Sequence, residues 1–443
     1  MYSLHSMITK FSGFAKDPVN AYQLYQAGRY LTSILVSIIL VQSGLDSDGV
    51  GHFELLLFIA VTFSFFWTVG IQNALVSYYP NLREEEKLKT LQTVFLLFLF
   101  LGSLVGLMII LFPQWVINIF RPSDNIDFLP LVALFVLISS PLLMIENILL
   151  LRKKADLLIR YAILSLAGVL ILTGLIGFFL PKPENFIIVI ITIAAFRLIY
   201  LIYLLELFKK ICFDKKVLYT FIIFALPLVF NILISSMMDV VDGWFVSRYY
   251  EAEDFAIFRY GARELPFSSV LYNSISVAMI PFIVSGESSL SQLKSKATKW
   301  MHVLFPVSIV MMFISPVLFT LIYNPGYERS AFIFNIYLLI LTSRVLLPQA
   351  YNFAKQQHSV IIWSGIIELF CNIILSYFWM QIWGIYGLAM ATVVAYFIQK
   401  LILMIYNQLK NDIQFSAYID VKYYLIYCLA SVMALFLSFK IFA

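Results

Sequence analysis

The stretch Arg83–Phe112, REEEKLKTLQTVFLLFLFLGSLVGLMIILF, contains both features that decide the fold of this chain. It begins with a block of charged residues and continues from Thr90 to Phe112 without a charged side chain. About 20 apolar residues are enough to cross the hydrocarbon core of a bilayer as an α-helix. The stretch therefore predicts a transmembrane helix that follows a charged loop.

The same alternation extends over all 443 residues, of which 62% are hydrophobic and only 12% are charged. A soluble domain of this size would carry about 25% charged residues. We therefore predict an all-α polytopic membrane protein with thirteen transmembrane helices. The predicted spans are residues 20–43, 51–79, 88–112, 129–151, 159–180, 186–208, 217–247, 255–283, 298–323, 330–353, 359–380, 385–408 and 422–442.

Lysine and arginine are distributed unequally between the two sets of connecting loops. Nineteen lie in the loops on one side of the predicted membrane, against five on the other side. Cytoplasmic loops carry the excess of basic residues, so we place the N-terminus and the basic loops in the cytoplasm. The net charge of +5 comes from these short loops, and it indicates contact with a lipid bilayer rather than with nucleic acid.

The two halves of the chain resemble each other at a nearly constant offset. Residues 191–196 match 391–396 at a shift of 200, and residues 48–53 match 253–258 at a shift of 205. Parallel repeats of this kind occur in transporters that alternate access to a central site. We therefore predict two pseudo-symmetric six-helix lobes around a central cavity and a thirteenth C-terminal helix, at residues 1–210, 211–410 and 411–443.

Five arginines lie inside the predicted spans, beyond their terminal turns, where a charge costs about 2.5–3.5 kcal/mol even on the mildest scale. We predict that these arginines bind an anionic substrate. The alternative is that each is paired with an acid or extends to the membrane surface, and a position near a span end favours this for Arg259. Arg259 and Arg263 are four residues apart and would share a helix face. The substrate-binding candidates are Arg29, Arg197, Arg259, Arg263 and Arg344.

Five acidic residues also lie within the predicted spans, away from their terminal turns. A buried carboxylate can carry a proton or bind Na⁺, and it can equally be the counter-ion of an arginine. Asp239 and Asp242 are three residues apart and are expected on one helix face. The candidates for ion coupling are Glu146, Asp239, Asp242, Glu264 and Glu368.

The sequence contains no signature of an enzyme or of a bound cofactor. The four histidines and three cysteines lack the spacing of a metal site, and there is no phosphate-binding loop or nucleophile elbow. We therefore expect no catalytic residue, no metal and no cofactor, apart from Na⁺ or H⁺ as a coupling ion.

Several segments resemble the polysaccharide and lipid II flippases of the multidrug/oligosaccharidyl-lipid/polysaccharide (MOP) exporter superfamily. Within residues 384–392, GIYGLAMAT is similar to the G-x-x-G-A-A-x-A-T motif of their twelfth span, with Leu388 in place of a small residue. Arg263 matches the span 8 arginine of the lipid II flippases in its Tyr-x-x-Arg setting, and Arg29 matches their span 1 arginine by position. The other similar segments are residues 49–53, 70–80, 225–242, 253–263 and 278–281.

The resemblance implies a flippase in a bacterial inner membrane that moves an undecaprenyl-pyrophosphate-linked oligosaccharide from the cytoplasmic to the periplasmic leaflet. Its partners would be the lipid-linked substrate, the bilayer and other polysaccharide-assembly proteins, and its role would be in surface polysaccharide or O-antigen biosynthesis. Three alternatives remain open: a multidrug and toxin (MATE-type) antiporter, a membrane-embedded glycan polymerase or ligase, and a non-transporting assembly subunit.

Overall fold

The computed structural model describes residues 16–121, 126–265, 268–285 and 289–442, apart from the side chains of Ser235, Asp239, Val270 and Ser289. Residues 1–15, with the predicted cytoplasmic N-terminus, lie outside the described part.

The described residues form helices and connecting turns without a β-strand. Their α-helices are α1 (Pro18–Gln42), α2 (Ser47–Tyr78), α3 (Glu84–Leu111), α4 (Pro113–Phe120), α5 (Leu129–Ser139), α6 (Met144–Leu151), α7 (Ala155–Phe179), α8 (Pro183–Leu204), α9 (Lys215–Tyr249), α10 (Ala252–Gly261), α11 (Ser268–Val284), α12 (Ser289–Ile322), α13 (Glu328–Leu338), α14 (Leu341–Arg344), α15 (Pro348–Ala354), α16 (His358–Trp383), α17 (Ile385–Asn411) and α18 (Val421–Phe442).

Eleven helical segments of the described chain are long and apolar enough to cross a membrane. A twelfth candidate combines Pro325–Arg344 with Pro348–Ala354, which meet at an angle of 45°. These helices confirm the prediction of an all-α polytopic membrane protein, and α18 matches the predicted C-terminal span at 422–442.

The prediction of one continuous helix at residues 255–283 is wrong. The chain forms α10 and α11 there, and Ala262–Leu265 between them is not helical. A proline disfavours the helical conformation of the residue before it, so Pro266 in the sequence explains why the helix does not continue through Leu265. Arg259 therefore lies in the last turn of α10, whereas Arg263 follows the end of that helix. The expectation that these two arginines share a helix face is also wrong.

The chain divides into two compact units, Met1–Ser236 with Glu251–Glu253, and Met237–Tyr250 with Asp254–Ala443. The division falls inside α9 rather than at the predicted boundary of residue 210. The first part of α9 belongs to the first unit because Phe221 and Ala225 are buried in its core, together with Trp67 and Phe98. The assignment of two six-helix lobes around a cavity stays a prediction.

In the first unit, a buried glutamine fixes the segment that connects α8 to α9. The side-chain amide of Gln92 donates to the carbonyls of Leu205 (2.7 Å) and Lys210 (3.0 Å) and accepts from the N–H of Cys212 (2.7 Å). Lys89 forms an ion pair with Asp214 at the end of this segment. Hydrogen bonds from Lys89 and from the following backbone N–H groups lower the pKa of the Asp214 carboxyl group.

In the second unit, α16 and α17 form a tightly connected helical hairpin. Gly384 joins them with a φ of 59°, a conformation that a side chain strains. A Cβ at Gly387 would overlap the carbonyl of Trp379, so the two helices approach closely only because this residue is glycine. These two glycines explain the G-x-x-G spacing of the motif at residues 384–392.

The C-terminal helix α18 is attached to the second unit by buried polar groups. The Nδ2 of Asn335 in α13 donates to Ser438 Oγ (3.0 Å) in α18 and to the carbonyl of Met312 (2.8 Å) in α12. Ser315 in α12 donates to Asn335 Oδ1 at 2.6 Å. A buried polar network of this kind fixes the register of three helices, because each member would be costly to leave without a partner.

Candidate functional site

Arg29 in α1 forms an ion pair with Glu146 in α6. Arg29 Nη1 lies 3.4 Å from Glu146 Oε1, and the guanidinium lies 6.0 Å from the centre of the Tyr25 ring. The Glu146 side chain is only 2% exposed, whereas the Arg29 side chain is 47% exposed. A guanidinium carries five N–H donors. Glu146 is therefore a counter-ion, and Arg29 retains an accessible face that can contact an anion.

Arg197 in α8 makes fewer hydrogen bonds than its guanidinium can donate. Its Nη2 donates to the carbonyl of Ser165 at a long 3.4 Å, and its Nε is buried without a hydrogen-bond partner in the described structure. Glu146 lies within electrostatic range of Arg197, but no ion pair joins the two among the described residues. Arg197 thus has hydrogen-bonding capacity that a ligand can use.

Arg263 and Glu264 lie in the break between α10 and α11. The break begins where the N–H of Ala262 donates to Phe258 O at 2.7 Å and that of Arg263 donates to Gly261 O at 2.7 Å. The Arg263 guanidinium lies 5.8 Å from the centre of the Tyr260 ring, and no ion pair joins it to another described residue. Non-helical backbone within a membrane span is tolerated where it lines a cavity or is covered by protein. Within the predicted span at residues 255–283, the break therefore places a cation where an anionic substrate can bind.

The neighbouring acid is neutralised by another arginine. Arg344 in α14 contacts both carboxylate oxygens of Glu264, with Nη2 at 2.5 Å and Nε at 3.1 Å, and its guanidinium lies 4.6 Å from the centre of the Tyr396 ring. Both side chains of this ion pair are about four-fifths buried, with 20% and 23% exposed. An arginine that binds a carboxylate through two hydrogen bonds in this way forms a stronger interaction than one with a single hydrogen bond. Arg344 and Glu264 therefore compensate each other, and Arg263 has no acidic partner among the residues that the structure describes.

Arg259 is exposed in the last turn of α10. Both roles considered for Arg259, substrate binding and extension to the membrane surface, stay predictions.

Asp242 in α9 is the centre of a buried hydrogen-bond cluster. Its Oδ2 accepts from Tyr337 Oη (2.9 Å) and Thr392 Oγ1 (2.5 Å), and its Oδ1 accepts from Asn372 Nδ2 (3.3 Å). Asp242 is 3% exposed. The side chain of Asp239, predicted on the same face, lies outside the described part of the structure. The cluster brings α9, α13, α16 and α17 together at one carboxylate.

One face of α16 carries three buried oxygen atoms that lack a hydrogen-bond partner among the described residues. They belong to Glu368, Asn372 and Ser376, which are four residues apart in succession and so share a face. A buried polar atom without a partner costs about 1–3 kcal/mol. Buried oxygen atoms that lack a hydrogen-bond partner and lie beside the Asp242 cluster can coordinate a cation or accept a proton.

Glu368 also faces a buried lysine. Lys400 in α17 is 7% exposed, donates to Gln349 Oε1 at 3.2 Å and lies within electrostatic range of Glu368. In the described residues, no group of three or more His, Cys, Asp and Glu side chains could hold a metal ion. The chemistry here is therefore that of mixed carboxylate, amide and hydroxyl oxygens next to one ammonium group.

Sequence reasoning missed Tyr337, Thr392 and Gln349 as partners of these buried charges. Tyr337 and Thr392 lie 95 and 150 residues from Asp242, and no local pattern connects them. The repeat of polar residues at 368, 372 and 376 within an apolar helix was the available signal for the α16 face.

Comparison with known proteins places this arrangement in a family context. A family model described as "Polysaccharide biosynthesis protein" matches residues 22–287. No curated protein matches the sequence. A structure titled "Lipid II flippase MurJ, inward closed conformation" superposes with a TM-score of 0.62 at 19% identity, covering 95% of this chain and 98% of that chain.

Two further solved structures share the fold. An inward-facing multidrug resistance MATE family transporter of the MOP superfamily superposes with a TM-score of 0.60 at 11% identity, covering 86% of this chain and 94% of that chain. A MOP superfamily transporter from Pyrococcus furiosus, whose title describes a binding pocket of reversed polarity, gives a TM-score of 0.53 at 13% identity over 89% and 96%. The fold is therefore that of the MOP superfamily.

Proposed function

This chain belongs to the polysaccharide biosynthesis protein family, and from that premise we propose that it is a flippase for an undecaprenyl-pyrophosphate-linked oligosaccharide. The substrate would move from the cytoplasmic to the periplasmic leaflet of a bacterial inner membrane, for surface polysaccharide or O-antigen synthesis. Its pyrophosphate cannot cross hydrocarbon unaided, because a buried unpaired charge costs on the order of tens of kcal/mol. The transporter must therefore replace the water around that charge.

The observation that carries the proposal is the cation in the break between α10 and α11. Arg263 has no acidic partner among the described residues, since Arg344 neutralises Glu264. Arg29 supports the same role in the first unit, because its guanidinium is half exposed while Glu146 is buried. We propose that both arginines donate charge-assisted hydrogen bonds to the pyrophosphate during alternating access.

The driving force is proposed to be an ion that binds at the Asp242 cluster. The carboxylate of Asp242 and the unpartnered oxygens of Asn372 and Glu368 provide the donor set for Na⁺ or the acceptor for H⁺. Intramembrane carboxylates commonly carry coupling ions in transporters. Arg344 and Glu264 are assigned a structural role as an ion pair.

A MATE-type antiporter is the main rival, and the shared fold does not separate the two functions. A pump for cationic drugs requires accessible carboxylates, whereas Glu146, the ion-coupling candidate of the first unit, is buried against Arg29. A polymerase or ligase would need a catalytic group, and an assembly subunit would need no ion site. Partner proteins of polysaccharide assembly are consistent with each of these functions.

Deletion of the gene in its host tests the proposal. We expect loss of the surface polysaccharide, accumulation of the lipid-linked oligosaccharide in the inner membrane, and restoration of both by the wild-type gene. A parallel drug-efflux assay in a host that lacks its own pumps should show no resistance. Unchanged surface polysaccharide in the deletion strain, or clear drug resistance, would contradict the proposed function.

A further inference from the structure

A groove of about 530 Å³ runs between α7 and α8 in the first unit. Its volume lies in the range of about 300–1,000 Å³ that is typical of ligand sites. Leu164 and Phe196 form exposed apolar walls, and Gly168 leaves open space because no atom lies within 4 Å of the position of a Cβ. The groove is thus an apolar trough on the surface of a transmembrane helix pair.

The charged residues that line the groove are all positive. Two of its lining residues, Arg160 and Arg197, are cationic, and none is acidic. Among the described residues Arg160 forms no ion pair, and the Nε of Arg197 is buried without a partner. A ligand with an anionic group would supply the missing acceptor, and a neutral ligand would not.

The two arginines lie towards one end of the groove, which Leu157 and Tyr200 also line. Arg160 lies five residues after the start of α7, about 7.5 Å along the axis, and Arg197 lies seven residues before the end of α8, about 10 Å from it. Both arginines therefore lie towards the predicted cytoplasmic end of the antiparallel pair. The apolar lining continues to Leu172, about 18 Å beyond Arg160, which approximates one leaflet of a hydrocarbon core of about 30 Å.

We propose that this groove binds an anionic phospholipid of the cytoplasmic leaflet, with its phosphate at Arg160 and Arg197 and one acyl chain in the trough past Gly168. The polarity of the groove matches a single lipid that has its headgroup at the cytoplasmic surface and its chain directed to the bilayer centre. A zwitterionic lipid gains less from the same site, because its own cation offsets the arginines. The site does not involve Arg29 or Arg263, on which the proposed flippase activity rests, and it assigns Arg197 to a phospholipid instead of the flippase substrate.

Native mass spectrometry of the purified full-length protein tests the proposal, with phosphatidylglycerol and phosphatidylcholine of identical acyl chains as probes. We expect phosphatidylglycerol to bind more tightly. Arg160→Gln should weaken phosphatidylglycerol binding about tenfold or more, because the phosphate loses a charge-assisted hydrogen bond. Lys154→Gln, which removes a charge at the same end of α7 outside the groove lining, should leave it unchanged.

Gly168→Leu fills the trough and should abolish the preference for phosphatidylglycerol. The matched control is Gly174→Leu in the same helix, because Gly174 also has open space at its Cβ position but does not line the groove. Leucine favours helix over glycine, so both variants should keep the wild-type melting temperature. Equal binding of the two lipids, or equal effects of the two leucine variants, would overturn the proposal. Displacement of phosphatidylglycerol by equimolar undecaprenyl phosphate would also overturn it, since the groove would then hold a polyprenyl carrier.

Discussion

Replacement of Arg263 by glutamine should reduce flipping by about 10- to 150-fold while the amount of protein in the membrane stays unchanged. A hydrogen bond to a charged group contributes about 1.5–3 kcal/mol, which corresponds to this range of rates. The protein level should persist because the guanidinium contacts the ring of Tyr260 and forms no ion pair with a described residue. Its loss therefore leaves no buried acid without a partner.

The assay complements a deletion strain with each variant and compares surface polysaccharide per amount of membrane-embedded protein. Lys355→Gln is the matched control, because Lys355 is also a cation whose ammonium lies 5.8 Å from a tyrosine ring, that of Tyr351, but it is exposed and outside the helix break. Arg263→Lys should recover part of the activity. Normal surface polysaccharide with Arg263→Gln at wild-type protein level would refute the role assigned to Arg263.

Four further substitutions test other parts of the structure. Arg344→Gln should destabilise the protein by about 3–5 kcal/mol, measured by thermal melting, because Glu264 loses its partner; the double variant with Glu264→Gln should regain most of the loss. Asp242→Asn should make transport in proteoliposomes insensitive to imposed Na⁺ and H⁺ gradients, and retained sensitivity would exclude this carboxylate from coupling. Gln92→Leu should lower the melting temperature by leaving backbone groups of the connecting segment unsatisfied, at about 1–3 kcal/mol for each. Gly384→Ala should cost about 1–3 kcal/mol through its positive φ, and an unaltered melting temperature would show that the turn relaxes.

Hydropathy and charge predicted most of the fold, because long apolar runs have one stable arrangement in a bilayer. The segment Thr90–Phe112 and the C-terminal run are helices where the sequence places them. The break after Gly261 was not predicted, although Pro266 lies two residues after Glu264. Apolar residues on both sides favoured a single span over residues 255–283, and only four of its described residues are not helical.

The partners of the buried charges were beyond sequence reasoning for a different reason. The Arg29–Glu146 and Arg344–Glu264 ion pairs join residues 117 and 80 positions apart, and local periodicity carries no information at that separation. The sequence identified which charges need a partner, since each is costly in the membrane. It could not distinguish Arg344, which has an acid, from Arg263, which has none among the described residues.

Reconstitution of the purified protein into liposomes with a fluorescent undecaprenyl-pyrophosphate oligosaccharide tests the central claim most directly. The measured quantity is the fraction of label that a membrane-impermeant reagent reaches from outside. The proposed function predicts that this fraction rises, in proteoliposomes, above the fraction of the label that lies in the outer leaflet at the start. Arg263→Gln should slow the rise. A fraction equal to that of protein-free liposomes, under both Na⁺ and H⁺ gradients, would contradict it.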